Sequence, residues 1–217
     1  MNPEKVRRRL PTEERQSEII RVAVHLAAEK GIDSVTTQDM ADAMKVTQGT
    51  IFKHFPTKDD IWLAVIHWIR ERLMAVLEKA AAEAVDPIDT IERMFFAHIA
   101  FISKHPSIPR LLFSEMLHKK NNKLHKLIQE IISGYESKIS SLLEAAKKQS
   151  LVDNELDSQN AAVLYIGMIQ GLFMRISIFG GKPLLLNEAR KIFPIYLYGI
   201  KKRNDAMESG NLSRKKS

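Results

Sequence analysis

"TTQDMADAMKVTQGTIFKHFPTKDD", residues 36–60, decides the fold. Three threonines in this stretch stand just before short runs whose apolar residues recur at helical spacing. Thr36 has Asp39 three residues on, and Thr57 has Asp60. In that pairing the hydroxyl accepts from a backbone N–H while the acid reaches back to the cap residue's own amide. Thr47 opens a third run between them. A helix over 38–44, a break at Lys45–Val46 and a second helix over 48–55 have the lengths and connection of a helix-turn-helix. Met40, Ala41, Met44, Val46, Ile51 and Phe55 supply its apolar side.

The other side chains of the second helix are Gln48, Thr50, Lys53 and His54. Amide, hydroxyl and cationic groups of this reach match the donors and acceptors on base edges in a major groove. Gly49 leaves the helix start bare, which permits close approach to a backbone, and the free amides there favour phosphate. Two short packed helices with threonine caps also occur in proteins that never touch DNA, so the motif alone leaves simple packing open.

Working outward, strand signals are nearly absent, and the chain reads as all-α. A first helix runs from a Thr12 cap, followed by Glu13 and Glu14, to Lys30, with Gly31 as a left-handed stop. Its stripe is Ile19, Ile20, Val22, Ala23, Leu26 and Ala27. After Thr57 the expected helices lengthen: 58 to about 84, ended by "VDP" at 85–87, then 87–104, 107–118, 122–149, 157–179 and 187–203. The tail "NDAMESGNLSRKKS" is polar and expected to be disordered. The expected organisation is a DNA-binding domain over 1–57 with a basic N-terminal arm, a second helical domain over 58–203, and a tail over 204–217.

Composition removes several classes. The 217 residues contain no cysteine, which excludes a disulfide framework, a thiolate zinc site and a cysteine nucleophile and suits the cytoplasm. The N-terminus "MNPEKVRRRLPTEERQ" has no apolar stretch after its charges, so no secretory signal is expected. The longest apolar run, 161–181, approaches the length of a membrane span but holds Gln170 and Arg175, so no membrane partner is expected. The net charge of +7 suggests a polyanion, yet residues 1–62 hold ten basic and ten acidic side chains. Local geometry, not global charge, must locate a nucleic-acid surface.

An enzyme is the main rival. There is no Gly-rich phosphate loop, no HExxH and no G-x-S-x-G, and the seven histidines are scattered. His118 and His125 lie seven apart with lysines between them, which reads as a solvated loop before a metal site. No catalytic residue, cofactor or metal is expected. A helical ligand-binding protein without DNA is the second rival.

From Val22 to Trp62, "VAVHLAAEKGIDSVTTQDMADAMKVTQGTIFKHFPTKDDIW" resembles the N-terminal domain of the TetR family of bacterial transcriptional repressors. The likeness joins an Ala-rich helix ending in "EKG", the "TT" cap followed by "DMA", the "VTQGTIFKHF" helix and "PTKDDIW" in order. It implies an all-α homodimer whose Gln48, Gly49, Thr50, Lys53 and His54 face a double-stranded DNA operator. Thr37, Gln38, Thr47 and Lys58 would support them at the phosphates. Two positions depart from the family pattern. Lys45 stands where the family usually has Gly, so it either holds a left-handed turn at a cost of about 1 kcal/mol or the turn differs. Phe52 stands where Tyr is common. It loses a phosphate hydrogen bond, ranks last among the DNA residues and is expected to serve packing. The arm Lys5, Arg7, Arg8 and Arg9 suits a minor groove, although most basic termini are merely solvated.

The stripe Ile88, Ile91, Phe95, Ile99 and Ile102, and the stripe Leu124, Leu127, Ile128, Ile131, Tyr135, Leu142 and Leu143, read by themselves as core. In the family the resemblance implies, the C-terminal helices enclose an effector pocket. Phe95, His98, Phe113, Met116, Tyr135, Tyr165, Met168 and Phe173 are then the candidate lining. None is charged, which favours a small apolar or aromatic effector. Helix 157–179 is apolar nearly all round, and Gly167 and Gly171 make a smooth strip that suits either an intrachain contact or a partner chain. The resemblance implies that the last two helices form the dimer, with Ile192, Phe193, Ile195, Tyr196, Leu197 and Ile200 as partner face and Pro194 kinking the last helix. The expected function is a ligand-responsive repressor on a palindromic operator, with helix 58–84 coupling effector to DNA.

Overall fold

The computed structural model describes residues 11–106, 108–109, 112, 122–179 and 184–201. The basic arm, Phe113, Met116 and the tail 204–217 lie outside the described residues, as does most of the expected helix 107–118. Among the described residues there are eight α-helices and no strand. They are α1 (Thr12–Lys30), α2 (Thr37–Met44), α3 (Gln48–His54), α4 (Lys58–Ala81), α5 (Pro87–Lys104), α6 (Asn122–Lys148), α7 (Ser158–Phe179) and α8 (Leu184–Ile200). The chain divides into two compact units, one of residues up to Ala75 with Lys104–Ile132, the other of Val76–Ser103 with Ser133 onward.

In the first unit the helix ends are set by local chemistry. Thr36 accepts from the Asp39 amide while the Asp39 carboxylate takes the Thr36 N–H at 2.7 Å, a complete capping box. Thr57 and Asp60 repeat it at the start of α4. Thr47 caps α3 through the Thr50 amide. Thr12 does not cap α1: it is already helical, and Pro11, extended at ψ 155°, takes the cap position with no side-chain bond. Gly31 ends α1 at φ 80° and ψ 153°, a region open essentially to glycine alone. Lys45 ends α2 in the left-handed conformation at φ 54°, ψ 41°, so the turn keeps its glycine-type geometry without glycine. Lys30 Nζ lies 2.7 Å from Asp39, tying the end of α1 to the start of α2. That lysine first, then the Thr36 amide and hydroxyl, hold the Asp39 carboxyl well below its usual range. Ile19, Ala23, Met40, Ala41, Ile51, Ile61 and Val65 fill the core, while Met44 and Val46 are only half-buried.

In the second unit Asp86 caps α5 by accepting from the Ile88 and Asp89 amides, and Pro87 takes the first helical position, where its missing N–H costs nothing. Asp157 does the same for α7 through Gln159 and Asn160. Helix α8 begins three residues before the expected 187 because Leu185 is drawn into the core, and it ends at Ile200, whose carbonyl accepts from Asp153. Pro194 lies within it. Ile91, Phe95, Ile139, Leu143, Ala162, Tyr165, Ile169 and Phe193 form the centre of this unit. By length and composition α7 could cross a membrane. Its stripe of Tyr165, Ile169, Leu172 and Phe173 is instead buried in the unit.

Candidate functional site

Helix α3 is held by its apolar side: Ile51 is fully buried and Phe55 nearly so, and α3 packs on both α1 and α2. That fixes what the opposite side presents. Gly49, Phe52 and Lys53 are exposed, and Gln48, Thr50 and His54 flank them half-buried. The flanking groups are pinned by short bonds. Gln48 Nε2 donates to the Thr37 hydroxyl at 2.6 Å, the Thr47 and Thr50 hydroxyls lie 3.0 Å apart, and Gln38 Nε2 donates to Asp42 at 2.7 Å. Gln16 donates to the His54 carbonyl at 3.2 Å, fastening the far end of α3 to α1. Lys53 is exposed and Lys58 half-buried at the start of α4. A Cβ at Gly49 would meet only the Thr47 hydroxyl at 3.8 Å, so the chain itself leaves that spot open.

Two expectations change here. Thr37 was placed at a phosphate, but its side chain is buried and its hydroxyl receives Gln48. Phe52 was expected to pack. It is 41% exposed on the open side of α3, because the buried positions of that short helix are taken by Ile51 and Phe55.

The second unit gathers aromatic side chains at its centre. The Phe95 ring stacks on Phe193 at 4.7 Å and meets Phe96 and Tyr165 edge-on at 5.4 and 5.6 Å. Tyr135 meets Tyr165 edge-on at 6.0 Å, and Tyr196 lies 6.1 Å from Tyr165. Tyr165 donates to the Ile91 carbonyl at 3.2 Å, its oxygen lies 3.3 Å from that of Tyr135, and Tyr196 donates to the Ala161 carbonyl at 3.1 Å. Burial pushes all three phenols up. The His98 ring lies 5.6 Å from Tyr135, and its Nδ1 is sealed from solvent with no hydrogen-bond partner among the described residues. Burial lowers that imidazole to about 4, so it is neutral at ordinary pH.

Of the residues expected to line a ligand site, Phe95, His98, Tyr135 and Tyr165 are thus brought together. Phe173 is buried on α7, and Met168 lies apart in a surface groove. Phe96, Phe193 and Tyr196 complete the cluster and were not expected in it. Their signal was present in the spacing, since Phe96 follows Phe95, while Phe193 and Tyr196 share an i, i+3 stripe that fits an inner face as well as an outer one.

The groove runs between α7 and α8, is open, has a volume of roughly 560 Å³, and includes Leu164, Met168, Ile192, Ile195 and Gly199 in its lining. On the same two helices Val163, Met174, Ile178 and Tyr198 are exposed. Added Cβ atoms at Gly167 and Gly171 would meet nothing within 4 Å, so no intrachain helix approach explains that strip among the described residues. The expected partner face is corrected in part. Phe193, Tyr196 and Ile200 point into the unit's own core, Leu197 is half-buried, and Ile195 and Tyr198 carry the exposed side, at 71% and 86%. An apolar stripe on a helix with two apolar sides does not say which side faces inward. Among the described residues no group of three or more potential metal ligands occurs.

A recognition helix docked by its apolar side, with an open polar side and a capped turn before it, defines a helix-turn-helix DNA-binding regulator. Residues 19–65 match the model for bacterial regulatory proteins of the tetR family. Nucleoid occlusion factor SlmA of Actinobacillus pleuropneumoniae serotype 5b is 24% identical over 164 residues, 75% of this chain and 81% of that protein. In fold, the chain matches the fatty acid degradation regulator FadR of Bacillus halodurans with a TM-score of 0.76 at 22% identity, covering 90% of this chain and 99% of that one. It matches the transcriptional regulator FadR of Bacillus subtilis, solved in complex with stearoyl-CoA, with a TM-score of 0.75 at 20% identity, covering 85% and 98%.

Proposed function

We propose that the protein is a cytoplasmic, dimeric repressor that binds a palindromic operator and is released by a small apolar effector. The observation that carries the reading is the open side of α3, where Gly49, Phe52 and Lys53 project and Gln48 and Thr50 are held ready beside them. One such helix per chain, repeated by a two-fold axis, reads two half-sites about one helical turn, or a multiple of it, apart. The apolar groove between α7 and α8, with its bare Gly167 and Gly171, supports self-association through that face. The aromatic cluster supports an effector site, and α4, which belongs to the first unit up to Ala75 and to the second from Val76, supplies the link. A ligand shifts such an equilibrium only by its preference for one state, and couplings of this kind change affinity by about 5–150-fold.

Footprinting on the DNA upstream of the gene tests the reading. A protected palindrome lost in a folded Gln48→Ala, Lys53→Ala double variant supports it, and undiminished protection removes α3 from the role. A second reading, chromosomal DNA binding without a small effector, draws on the SlmA likeness across 75% of the chain. Genome-wide occupancy separates the two: one or a few promoter sites favour the repressor, and dispersed sites favour the second.

A further inference from the structure

The aromatic cluster contains one polar demand that its own residues do not meet; the inference rests on reading that cluster as the effector site. The Ile91 carbonyl has no proton to give, so the Tyr165 hydroxyl donates to it at 3.2 Å. With that proton committed, the 3.3 Å approach of the two hydroxyls requires Tyr135 to donate and Tyr165 to accept. The Tyr135 oxygen is left with lone pairs and no proton to offer. On a ring whose centroid lies 5.6 Å from that of Tyr135, Nδ1 of His98 is buried and unpartnered among the described residues. Buried polar atoms are normally satisfied, and the orphan Nδ1, on a ring next to one whose hydroxyl keeps spare lone pairs, points to a donor that both could accept from.

We propose that the effector presents a neutral O–H or N–H donor to the Tyr135 oxygen and His98 Nδ1, so that the regulator selects alcohols, phenols or amides over ethers and carboxylates of the same shape. A carbonyl ligand would serve only one tautomer of His98 and leave the Tyr135 oxygen unserved. A charged group finds no counter-ion, because no Asp, Glu, Lys or Arg is among the buried residues described. Neutrality of the imidazole at ordinary pH keeps one ring lone pair available, and the ligand's donor selects the tautomer that places it on Nδ1.

The test titrates the full-length protein at pH 7 by calorimetry with 2-naphthol, 2-methoxynaphthalene and 2-naphthoate. The phenol should bind at least about tenfold more tightly than the ether or the carboxylate, as sites built to hydrogen-bond a hydroxyl reject analogues lacking it. Tyr135→Phe and His98→Phe each keep a ring in place. Each should shrink that preference to below about threefold while leaving ether affinity within about twofold, the loss expected for one hydrogen bond. Equal affinity of the native protein for phenol and ether overturns the donor inference but leaves the effector site standing. A phenol preference that survives both substitutions overturns its assignment to these two atoms. Failure of all three compounds to bind overturns the effector-site reading beneath it.

Discussion

The two units place their chemistry on opposite sides of their packing. In the first, the core is mostly aliphatic, with Phe55 and Trp62 among it, and the candidate DNA-reading residues stand outside it, Gly49, Phe52 and Lys53 on the open side of α3. In the second, the candidate residues are themselves the core: Phe95 and Tyr165 are fully buried, Tyr135 is nearly so, and His98 hides a nitrogen among them. A reading surface can therefore change without disturbing the fold that carries it. A ligand site made of the core cannot, and occupancy of that core is felt by the helices that form it.

The largest expected effect tests the second half of that contrast. Phe95→Ala removes a ring that touches Phe96, Tyr165 and Phe193, and truncations of this kind cost about 3–5 kcal/mol. Urea denaturation of the purified variant measures it. A loss below about 1 kcal/mol would mean that the cluster is loosely packed and that the contrast fails, since well-packed phenylalanines do not leave so little behind.

Next is a pH effect centred on the same cluster. His98 titrates near 4 when folded against 6.5 in the reference state. Above pH 6.5 neither state binds the proton, and its contribution is flat. Between 6.5 and about 4 the unfolded chain takes up the proton and the folded one does not, so stability falls by at most roughly 3 kcal/mol. Asp39, Asp89, Asp157 and Glu144 have depressed pKa values, so their contribution is complete above the ordinary carboxylate range and is lost as pH falls through and below it. Stability measured from pH 7.5 to 4 should slope in the native protein and slope less in His98→Phe, the remainder coming from His105, which burial and then Arg72 and Lys104 also lower. Parallel curves would mean that His98 is solvated.

The same contrast explains what was legible in the sequence. The caps at Thr36, Thr47 and Thr57 were, because each is decided within four residues. The stripe of α5 was, because its period of 3.6 admits one buried side; Ile91, Phe95, Ile99 and Ile102 all lie in the core. Thr12 misled because a proline before it offers an extended backbone that serves as the cap without a side chain. The inward turn of Phe193, Tyr196 and Ile200 was not legible, since α8 has apolar residues on both sides and tertiary packing alone chooses between them. Phe52 was misjudged for a related reason: a seven-residue helix buries only its first-ranked apolar positions, and Ile51 fills them.

On the reading surface, effects should fall on affinity and spare the fold. Lys53→Ala should weaken operator binding by about 1–3 kcal/mol if the ammonium reads a base, and relax specificity at one position. Its melting temperature should stay put, because the side chain is exposed and nothing in the core leans on it. Gln48→Ala should also lose affinity and, having lost the 2.6 Å bond to buried Thr37, about 1 kcal/mol of stability as well. Equal stability losses in the two variants would blur the line between reader and scaffold.

The smallest expected effect sits at the turn that joins the two reading helices. Lys45 is held at φ 54°, where a side chain costs about 1–2 kcal/mol relative to glycine. Glycine there relieves the strain but gives the unfolded chain more freedom, worth about 0.5–1 kcal/mol in the other direction. Lys45→Gly should therefore stabilise the first unit by about 0.5–1 kcal/mol net, and Lys45→Ala, which keeps the Cβ, should leave stability nearly unchanged. The pair also separates backbone from charge. Lys45 is exposed, so a phosphate contact would show as an equal loss of operator affinity in both variants, with a salt slope reduced by about one. Stabilisation by glycine with unchanged affinity assigns the residue to the turn alone. A stability gain in the alanine variant equal to that in the glycine one would show that the strain lies in the lysine side chain and not in the left-handed backbone.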